Sequence, residues 1–354
     1  MVGACGLRLA AGGHNAAVDA RTLKKHAEDL GFDLVGICDA VPAPHTTAYR
    51  AWIAKGYNGV MDYMERQVPL REHPDALLPG VRSIVAVGLN YNQPNPVRAG
   101  HPRIARYALG RDYHKVLRSK LRELLRRVQA DGLEGRWRIC VDSAPIFERD
   151  FARLAGLGWF GKNTCLIDSR RGSWFVIGLV LSTYRFEPDV PAEGGCGTCT
   201  RCVEACPTGA IVFEEERWQV DARRCLSYQT IEVPAAGEGV RRRGYGVGVP
   251  AGGKGGGRDW LFGCDVCQEV CPFNQPRESQ PLRAATTREP GFLALREWPS
   301  LAKLAALSFE EWDDLTRGSA VRRAGYEGLK ANARAVLEAD SELSPAGRDD
   351  RKGQ

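Results

Sequence analysis

The segment that decides the fold begins with Cys196-Gly-Thr-Cys199-Thr-Arg-Cys202-Val-Glu-Ala-Cys206-Pro207 and ends with Cys264-Asp-Val-Cys267-Gln-Glu-Val-Cys271-Pro272. The first run has the spacing C-x2-C-x2-C-x3-C-P. In this pattern three thiolates hold one 4Fe-4S cluster and the fourth holds a neighbouring cluster. The second run has one cysteine fewer. The two runs together predict a domain with two 4Fe-4S clusters over residues 191–280.

Counting ligands divides eight cysteines between the two clusters. Cluster one is assigned three cysteines of the first run and the last cysteine of the second: Cys196, Cys199, Cys202 and Cys271. Cluster two is assigned Cys206, Cys225, Cys264 and Cys267, of which Cys225 is the only cysteine between the runs and fills the remaining position. Two zinc sites are the alternative, because C-x2-C pairs also suit tetrahedral zinc. The Cys-Pro pairs and the crossed arrangement favour clusters.

The other four cysteines are interpreted as non-ligands: Cys5, Cys38, Cys140 and Cys165. Twelve cysteines in a secreted protein would suggest disulfides, but metal-like spacing in a chain of 354 residues indicates reduced thiols. No stretch reaches the roughly 18 consecutive apolar residues of a membrane span. Residues 1–20 lack the apolar core of a secretion signal and are predicted to be a flexible tail. We therefore expect a cytoplasmic protein with no membrane partner.

Residues 21–190 alternate between helix and strand patterns, which is typical of a layered α/β domain. Strands are predicted at residues 33–38, 83–90, 138–141 and 174–183. The strand at 83–90 is apolar on both faces, as expected for a sheet covered on two sides. From Asp112 to Gly132 the apolar residues follow the spacing of a long amphipathic helix. A second helix is predicted to start at Ser143-Ala-Pro145.

Two further segments have simple compositions. Residues 237–258 are rich in Gly and Arg, and the pattern predicts a mobile basic loop. Residues 281–354 are predicted to form a short helical C-terminal region with a disordered end from Ser341.

The net charge of +6 is a moderate bias toward anionic partners. A two-cluster relay fits either an electron carrier or an enzyme, and the large α/β domain ahead of it favours the enzyme.

Six motifs, in the same order along the chain, resemble the epoxyqueuosine reductase family. They are Arg106-Tyr-Ala-Leu-Gly-Arg-Asp-Tyr-His114, Val141-Asp-Ser-Ala-Pro145, Gly156-Leu-Gly-Trp-Phe-Gly-Lys-Asn163, Gly172-Ser-Trp-Phe175, Cys225-Leu-Ser-Tyr228 and Cys264-Asp-Val-Cys-Gln-Glu-Val-Cys-Pro-Phe-Asn274. The resemblance implies a nitroreductase-like α/β domain at 21–190 that binds base-off cobalamin, followed by a bacterial-ferredoxin-like domain. It also implies reduction of epoxyqueuosine to queuosine at the wobble position of tRNA anticodons.

The resemblance further implies roles for single residues. Asp142 resembles the proton donor of the family, and burial against a corrin face would raise its pKa. Its position at the carboxyl end of a strand agrees with where open α/β sheets bind ligands. Alternatively, Asp142 caps the helix that starts near Pro145. Ser227 resembles a position that contacts cobalamin beside cluster two. Arg106 and Tyr107 are candidates for the corrin cleft, or else a surface cation and a core residue.

The remaining candidates concern the cleft and the tRNA. Residues 61–64 are candidates for the corrin cleft. Lys162 and Asn163 follow a glycine turn that allows close backbone approach, so they contact either cofactor or anticodon phosphates, or they form a structural turn. Basic residues of the loop, Arg241-Arg-Arg243 and Lys254, are candidates for tRNA binding. The loop is also open to interpretation as a solvated insertion.

Two alternatives to the reductase stay open at this point. One is a cobalamin-dependent reductase of another substrate, such as an organohalide, although the twin arginines of an export signal are missing from the N-terminus. The other is a non-enzymatic electron-transfer protein. Each of the three requires a low-potential electron donor, which the sequence does not identify.

Overall fold

The computed structural model describes residues 16–95, 100–234 and 259–343. Its helices are α1 (Ala16–Asp29), α2 (Thr46–Ala54), α3 (Asp62–Arg66), α4 (Val68–Glu72), α5 (Tyr113–Ala130), α6 (Glu148–Leu154), α7 (Arg201–Ala205), α8 (Leu226–Ile231), α9 (Val266–Glu269), α10 (Pro290–Leu293), α11 (Leu301–Ala305), α12 (Phe309–Thr316) and α13 (Tyr326–Leu343). Its strands are β1 (Leu34–Asp39), β2 (Ser83–Asn90), β3 (Arg103–Ile104), β4 (Trp137–Cys140), β5 (Trp159–Phe160), β6 (Leu166–Ile167), β7 (Phe175–Ser182), β8 (Ile211–Glu214), β9 (Arg217–Val220) and β10 (Trp260–Phe262).

The centre of the α/β domain is a four-stranded antiparallel sheet with the order β1-β2-β7-β4. The four strands predicted from the sequence are confirmed, with ends that differ by one residue at most. Along β2, Val85 and Val87 pack with α1 and α5, whereas Ile84 and Ala86 pack with α6 on the other face. Successive side chains of a strand point to opposite faces. The apolar pattern on both faces of β2 is therefore explained by helices on both sides.

Some boundaries differ from the prediction. Helix α1 begins at Ala16, inside the predicted tail, and its Ala20 is buried. At the other end, α13 extends to Leu343, past the predicted start of disorder. The predicted helix start at Ser143 is wrong, because residues 141–147 form a loop and α6 begins at Glu148. The strand-end argument for Asp142 also fails, since neighbouring strands of an antiparallel sheet present their carboxyl ends at opposite edges.

A third hydrophobic core joins parts of the chain that the sequence assigned to separate domains. Strand β10 pairs in parallel with β3, and both pack against α11 and α13. The buried side chains come from three regions: Ile104 and Ala108, then Leu261 and Phe262, then Leu304, Leu329 and Ala333. The C-terminal helices are thus anchored to segments from both predicted domains. The predicted basic loop at 237–258, including its candidate tRNA residues, lies outside the described residues, as do 1–15 and 344–354.

Gly36 provides a test of the packing between β1 and α6. A methyl group on Gly36 would lie 1.9 Å from the carbonyl oxygen of Ala155, directly after α6. Since two backbones must separate to make room, we expect Gly36→Ala to lower the free energy of unfolding by roughly 1–3 kcal/mol. The control is Gly195→Ala, because a methyl group there meets no atom of the described residues within 4 Å. Thermal melting of the cluster-loaded protein measures both, and equal melting temperatures would contradict the packing.

Candidate functional site

The cysteines assigned to cluster one surround a small cavity. Its lining includes Cys196, Cys199, Cys202 and Cys271, together with apolar side chains such as Ile167 and Phe273. Burial and the three neighbouring thiols raise the pKa of Cys202 to about 11. Within the described residues, no three metal-binding side chains are grouped tightly enough to hold one metal ion. The thiols instead lie around a space, which is the arrangement that a cluster of several atoms needs.

The cysteines assigned to cluster two also lie near one another. Burial raises the pKa of Cys264, and the nearby Cys225 and Cys206 raise it further. Cys267 interacts electrostatically with Cys264 and Cys225. The backbone N–H of Ala210 donates to the sulfur of Cys206 at 3.2 Å. The structure therefore brings Cys225 to the other three thiols, as the ligand count predicts.

The glycine turn after β5 holds both cysteine runs against the α/β domain. The Nζ of Lys162 donates to the carbonyl oxygen of Gly197 at 2.9 Å, beside the first run. The amide of the buried Asn163 donates to the carbonyl oxygen of Cys267 at 3.4 Å. The thiols of Cys165 and Cys267 lie close enough to interact with each other. Of the two interpretations of Lys162 and Asn163, the structural turn agrees with these contacts.

Asp142 lies on the loop that follows β4, in a conformation that is unusual for a residue with a side chain. Its φ is +51°, in the left-handed region. Its side chain is 63% exposed, and its Oδ2 lies 3.0 Å from the Nε2 of His114. Helix α6 begins after Phe147 and has no side-chain cap. Asp142 is therefore not a helix cap, which removes the structural alternative.

The charges around Asp142 differ from the expectation of a raised pKa. Desolvation by the surrounding residues raises the pKa of Asp142 although its side chain reaches solvent, but hydrogen bonds from His114 and Tyr113 and the charges of His114 and Arg323 lower it by more. Burial lowers the pKa of His114, but hydrogen bonds to Asp112 and Asp142 raise it to about 9. In the resting chain the proton thus resides on the imidazole, and the carboxyl is ionised. Sequence reasoning missed His114 and Asp112, although both belong to a motif that it identified.

The other predicted site residues lie in different places. Tyr107 is edge-on to Tyr113 and interacts electrostatically with Asp142. Ser227 interacts with the thiol of Cys225 and lowers its pKa, although burial raises the pKa of that thiol overall. Arg106 lies away from this group: its guanidinium stacks over Trp174 at 4.4 Å and pairs with Glu269 on the second cysteine run. Tyr107 therefore lies near Asp142, and Ser227 lies near Cys225. Arg106 instead lines a separate cavity together with Trp174 and Glu269.

A cavity of about 580 Å³ opens beside the Asp142 loop. Its walls are α2, the loop around Phe147, the turn that contains Lys162, and the β8–β9 hairpin. Two buried polar atoms in its lining, Arg71 Nε and Glu148 Oε1, have no hydrogen-bond partner within the described part of the chain. Burial raises the pKa of Glu148 to about 8. An apolar cavity with a few unpaired polar groups is typical of a binding site for a small molecule or cofactor.

Two family models match the chain. The model described as epoxyqueuosine reductase QueG, DUF1730, matches residues 71–143, and a 4Fe-4S double cluster binding domain matches residues 195–274. The epoxyqueuosine reductase of Gloeobacter violaceus is 41% identical over 92% of this chain and 98% of its own length. None of the helices in the described residues has the length and apolar character needed to cross a bilayer.

Two solved structures share the fold. A crystal structure of epoxyqueuosine reductase with an epoxyqueuosine-modified tRNA-Tyr stem loop has a TM-score of 0.75 and 27% identity, over 91% of this chain and 82% of that one. The Bacillus subtilis enzyme, with its aspartate catalytic loop swung out of the active site, has a TM-score of 0.71 and 27% identity, over 95% and 87% of the two chains.

The fold and the thiol sets define an iron–sulfur protein in which an α/β domain is joined to a domain for two 4Fe-4S clusters. The zinc alternative is thereby removed. The chain belongs to the epoxyqueuosine reductase family.

The ligand assignment predicts the iron content of two variants. Replacing Cys225 by Ala removes one of four ligands of cluster two, so we expect about four iron atoms per chain instead of about eight. Cys140→Ala is the control, because Cys140 is a buried thiol on β4. Iron analysis and the electron paramagnetic resonance spectrum of the reduced protein measure the difference. Full iron content in the Cys225 variant would remove Cys225 from the ligand set.

Proposed function

We propose that this chain reduces epoxyqueuosine to queuosine at the wobble position of tRNA anticodons, with Asp142 as the proton donor. The observation that carries the proposal is an exposed aspartate on a loop whose later residues, Ile146 and Phe147, line a cavity of about 580 Å³, in a member of the epoxyqueuosine reductase family. The tRNA partner is supported by the related structure that contains an epoxyqueuosine-modified stem loop. Reduced thiols and a tRNA substrate support a cytoplasmic location.

Cobalamin is the cofactor that we propose for the cavity. The residues that line it suit a corrin, because Arg71 and Glu148 are polar partners for its amide groups and Trp52 and Phe147 offer apolar surface. Ser227 lies beside Cys225 and outside the lining of this cavity, and we propose that it contacts the cofactor from the side of cluster two. When bound, cobalamin supplies a strongly nucleophilic Co(I) state.

The residues of the chain have two further tasks in the reaction, which are electron transfer and proton transfer. The eight assigned cysteines hold the two clusters, through which an external low-potential donor supplies electrons one at a time. Conversion of an epoxide to an alkene consumes two electrons and two protons and releases water. Asp142 delivers protons to the departing oxygen as the carbon–oxygen bonds break. Its 63% exposed side chain can approach a substrate that enters from solvent.

The central experiment measures queuosine formation. Protein reconstituted anaerobically with iron, sulfide and cobalamin is given a strong reductant and tRNA that contains epoxyqueuosine, and the nucleosides are analysed. We expect conversion by the natural chain and loss of at least about 100-fold in Asp142→Asn, with unchanged cluster and corrin spectra. Asp131→Asn is the control, because Asp131 also pairs with a histidine but lies at the end of α5.

The outcomes of this experiment separate the candidate functions. Absence of conversion with cobalamin bound contradicts the proposed substrate and favours a reductase of another compound. A chain that holds clusters but takes up no corrin contradicts the enzyme and favours an electron-transfer protein. Full turnover by Asp142→Asn contradicts the role of Asp142 alone.

Glu148 gives a pH-dependent test of the cofactor site. Because burial raises its pKa to about 8, Glu148 is neutral below that pH, and covering an ionised carboxyl is unfavourable. We expect the affinity of the natural chain for cobalamin to fall as pH rises through 8, measured by absorbance titration. Glu148→Gln stays neutral and should lose this dependence, whereas Glu148→Ala should bind about tenfold more weakly at every pH. A pH-dependent Gln variant would disprove the assignment.

A further inference from the structure

His114 links two carboxylates at the start of α5. Its Nδ1 lies 2.8 Å from Asp112 Oδ1, and its Nε2 lies 3.0 Å from Asp142 Oδ2. Asp112 is also the N-cap of α5, where its side chain accepts from the backbone N–H of His114 at 3.0 Å. The ring of Tyr113 stacks on the imidazole at 4.0 Å. The imidazole is thereby fixed in position, with a carboxylate oxygen at each nitrogen.

This geometry favours the doubly protonated form of the ring. A carboxylate only accepts hydrogen bonds, so each ring nitrogen must carry a hydrogen to complete its contact. A cation in the first turn of a helix is disfavoured by the helix dipole. The two carboxylates offset that cost, and with them the pKa of His114 is about 9. Tyr63, Tyr107, Tyr113, Glu148 and Arg323 also interact with Asp142, and Lys115 interacts with Asp112.

An ionised Asp142 cannot donate a proton until it receives one. The nearest store is the Nε2–H of His114, which is hydrogen-bonded to Oδ2 of the 63% exposed Asp142 side chain. We propose that His114, oriented by Asp112, is the proton reservoir of the site and recharges Asp142 for both protonations. This inference rests on the proposed function, because it concerns protons consumed in that reduction.

The proposed step is a proton transfer that balances in atoms and charge. One proton moves from His114 Nε2 to Asp142 Oδ2, and Asp142 gives a proton to the epoxide oxygen as its first bond to carbon breaks. His114 is then reprotonated from solvent, which reaches 27% of its side chain, and the same route delivers the second proton. The two electrons come from the reduced cofactors of the proposed function. The products are the alkene and water.

Three variants of the reconstituted holoenzyme test the reservoir. His114→Gln keeps a donor for Asp142 but cannot transfer a proton, and we expect it to lose about 100-fold in single-turnover rate. Asp112→Asn keeps the helix cap, since Asn caps as well as Asp, but removes one carboxylate. His26→Gln is the control, because His26 makes a similar contact of 2.7 Å with Asp131 far from the loop.

The pH profile and a nuclear magnetic resonance titration separate proton supply from mere positioning. The natural rate should fall as pH rises through 9, where His114 loses its proton, and Asp112→Asn should move this limb to lower pH. The His114 imidazole of the natural chain should titrate at the same pH in a spectrum recorded without substrate. A further variant, His114→Gly, leaves space where the ring was. Added imidazole should partly restore the rate of His114→Gly but not the rate of Asp142→Asn.

The results of these experiments support or contradict the role of His114 as proton reservoir. A His114→Gln enzyme with the natural rate, or a His114 resonance that titrates at the ordinary value of about 6.5, overturns the reservoir while leaving the proposed function intact. Loss of activity in His114→Gln without any rescue of His114→Gly by imidazole also overturns it, in favour of a positioning role. Absence of conversion by the natural chain is the distinct result that overturns the proposed function itself.

Discussion

The buried amide of Asn274 is the contact on which the relation between the two domains depends. Its oxygen accepts from the backbone N–H of Ser173 at 2.7 Å, and its nitrogen donates to Ser173 Oγ and to the carbonyl oxygen of Gln268. A buried amide without these partners would cost roughly 1–3 kcal/mol per group. Asn274 follows the second cysteine run directly, and Ser173 precedes β7. The thiols are thus held at a fixed position relative to the central sheet.

The sequence predicted the features that depend on local pattern. Strand β2 could be identified because residues 84–89 form a continuous apolar run of strand length, and seven of its eight residues are indeed buried. Cys225 could be assigned because ligand counting needs no coordinates. The pKa of Asp142 could not be predicted, since it is set by His114 from 28 residues away and by Arg323 from the C-terminal region. The loop at 141–147 was mistaken for a helix start because proline suits both.

Asp142 is held in an unfavourable backbone conformation by several contacts. A left-handed residue other than glycine costs on the order of 1 kcal/mol or more, so the surrounding structure must supply it. Arg118 donates to the hydroxyl of Ser143 at 2.7 Å, and Arg71 donates to the carbonyl oxygen of Ile146 at 3.2 Å. These contacts flank the loop on both sides of the carboxylate. Strain held in this way is typical of functional sites, and it agrees with a role that sheet geometry alone does not give to Asp142.

Helix α8 connects the thiols assigned to cluster two with the surroundings of Asp142. Cys225 is the residue before its first turn, so one end of α8 lies at the thiols assigned to cluster two. Glu232 ends the helix and pairs with Arg323 at 2.8 Å. Arg323 in turn lowers the pKa of Asp142. Because Arg323 adjoins the core shared by β10 and α13, the C-terminal region affects the ionisation of Asp142. The third core is therefore part of the site and not an appendage to it.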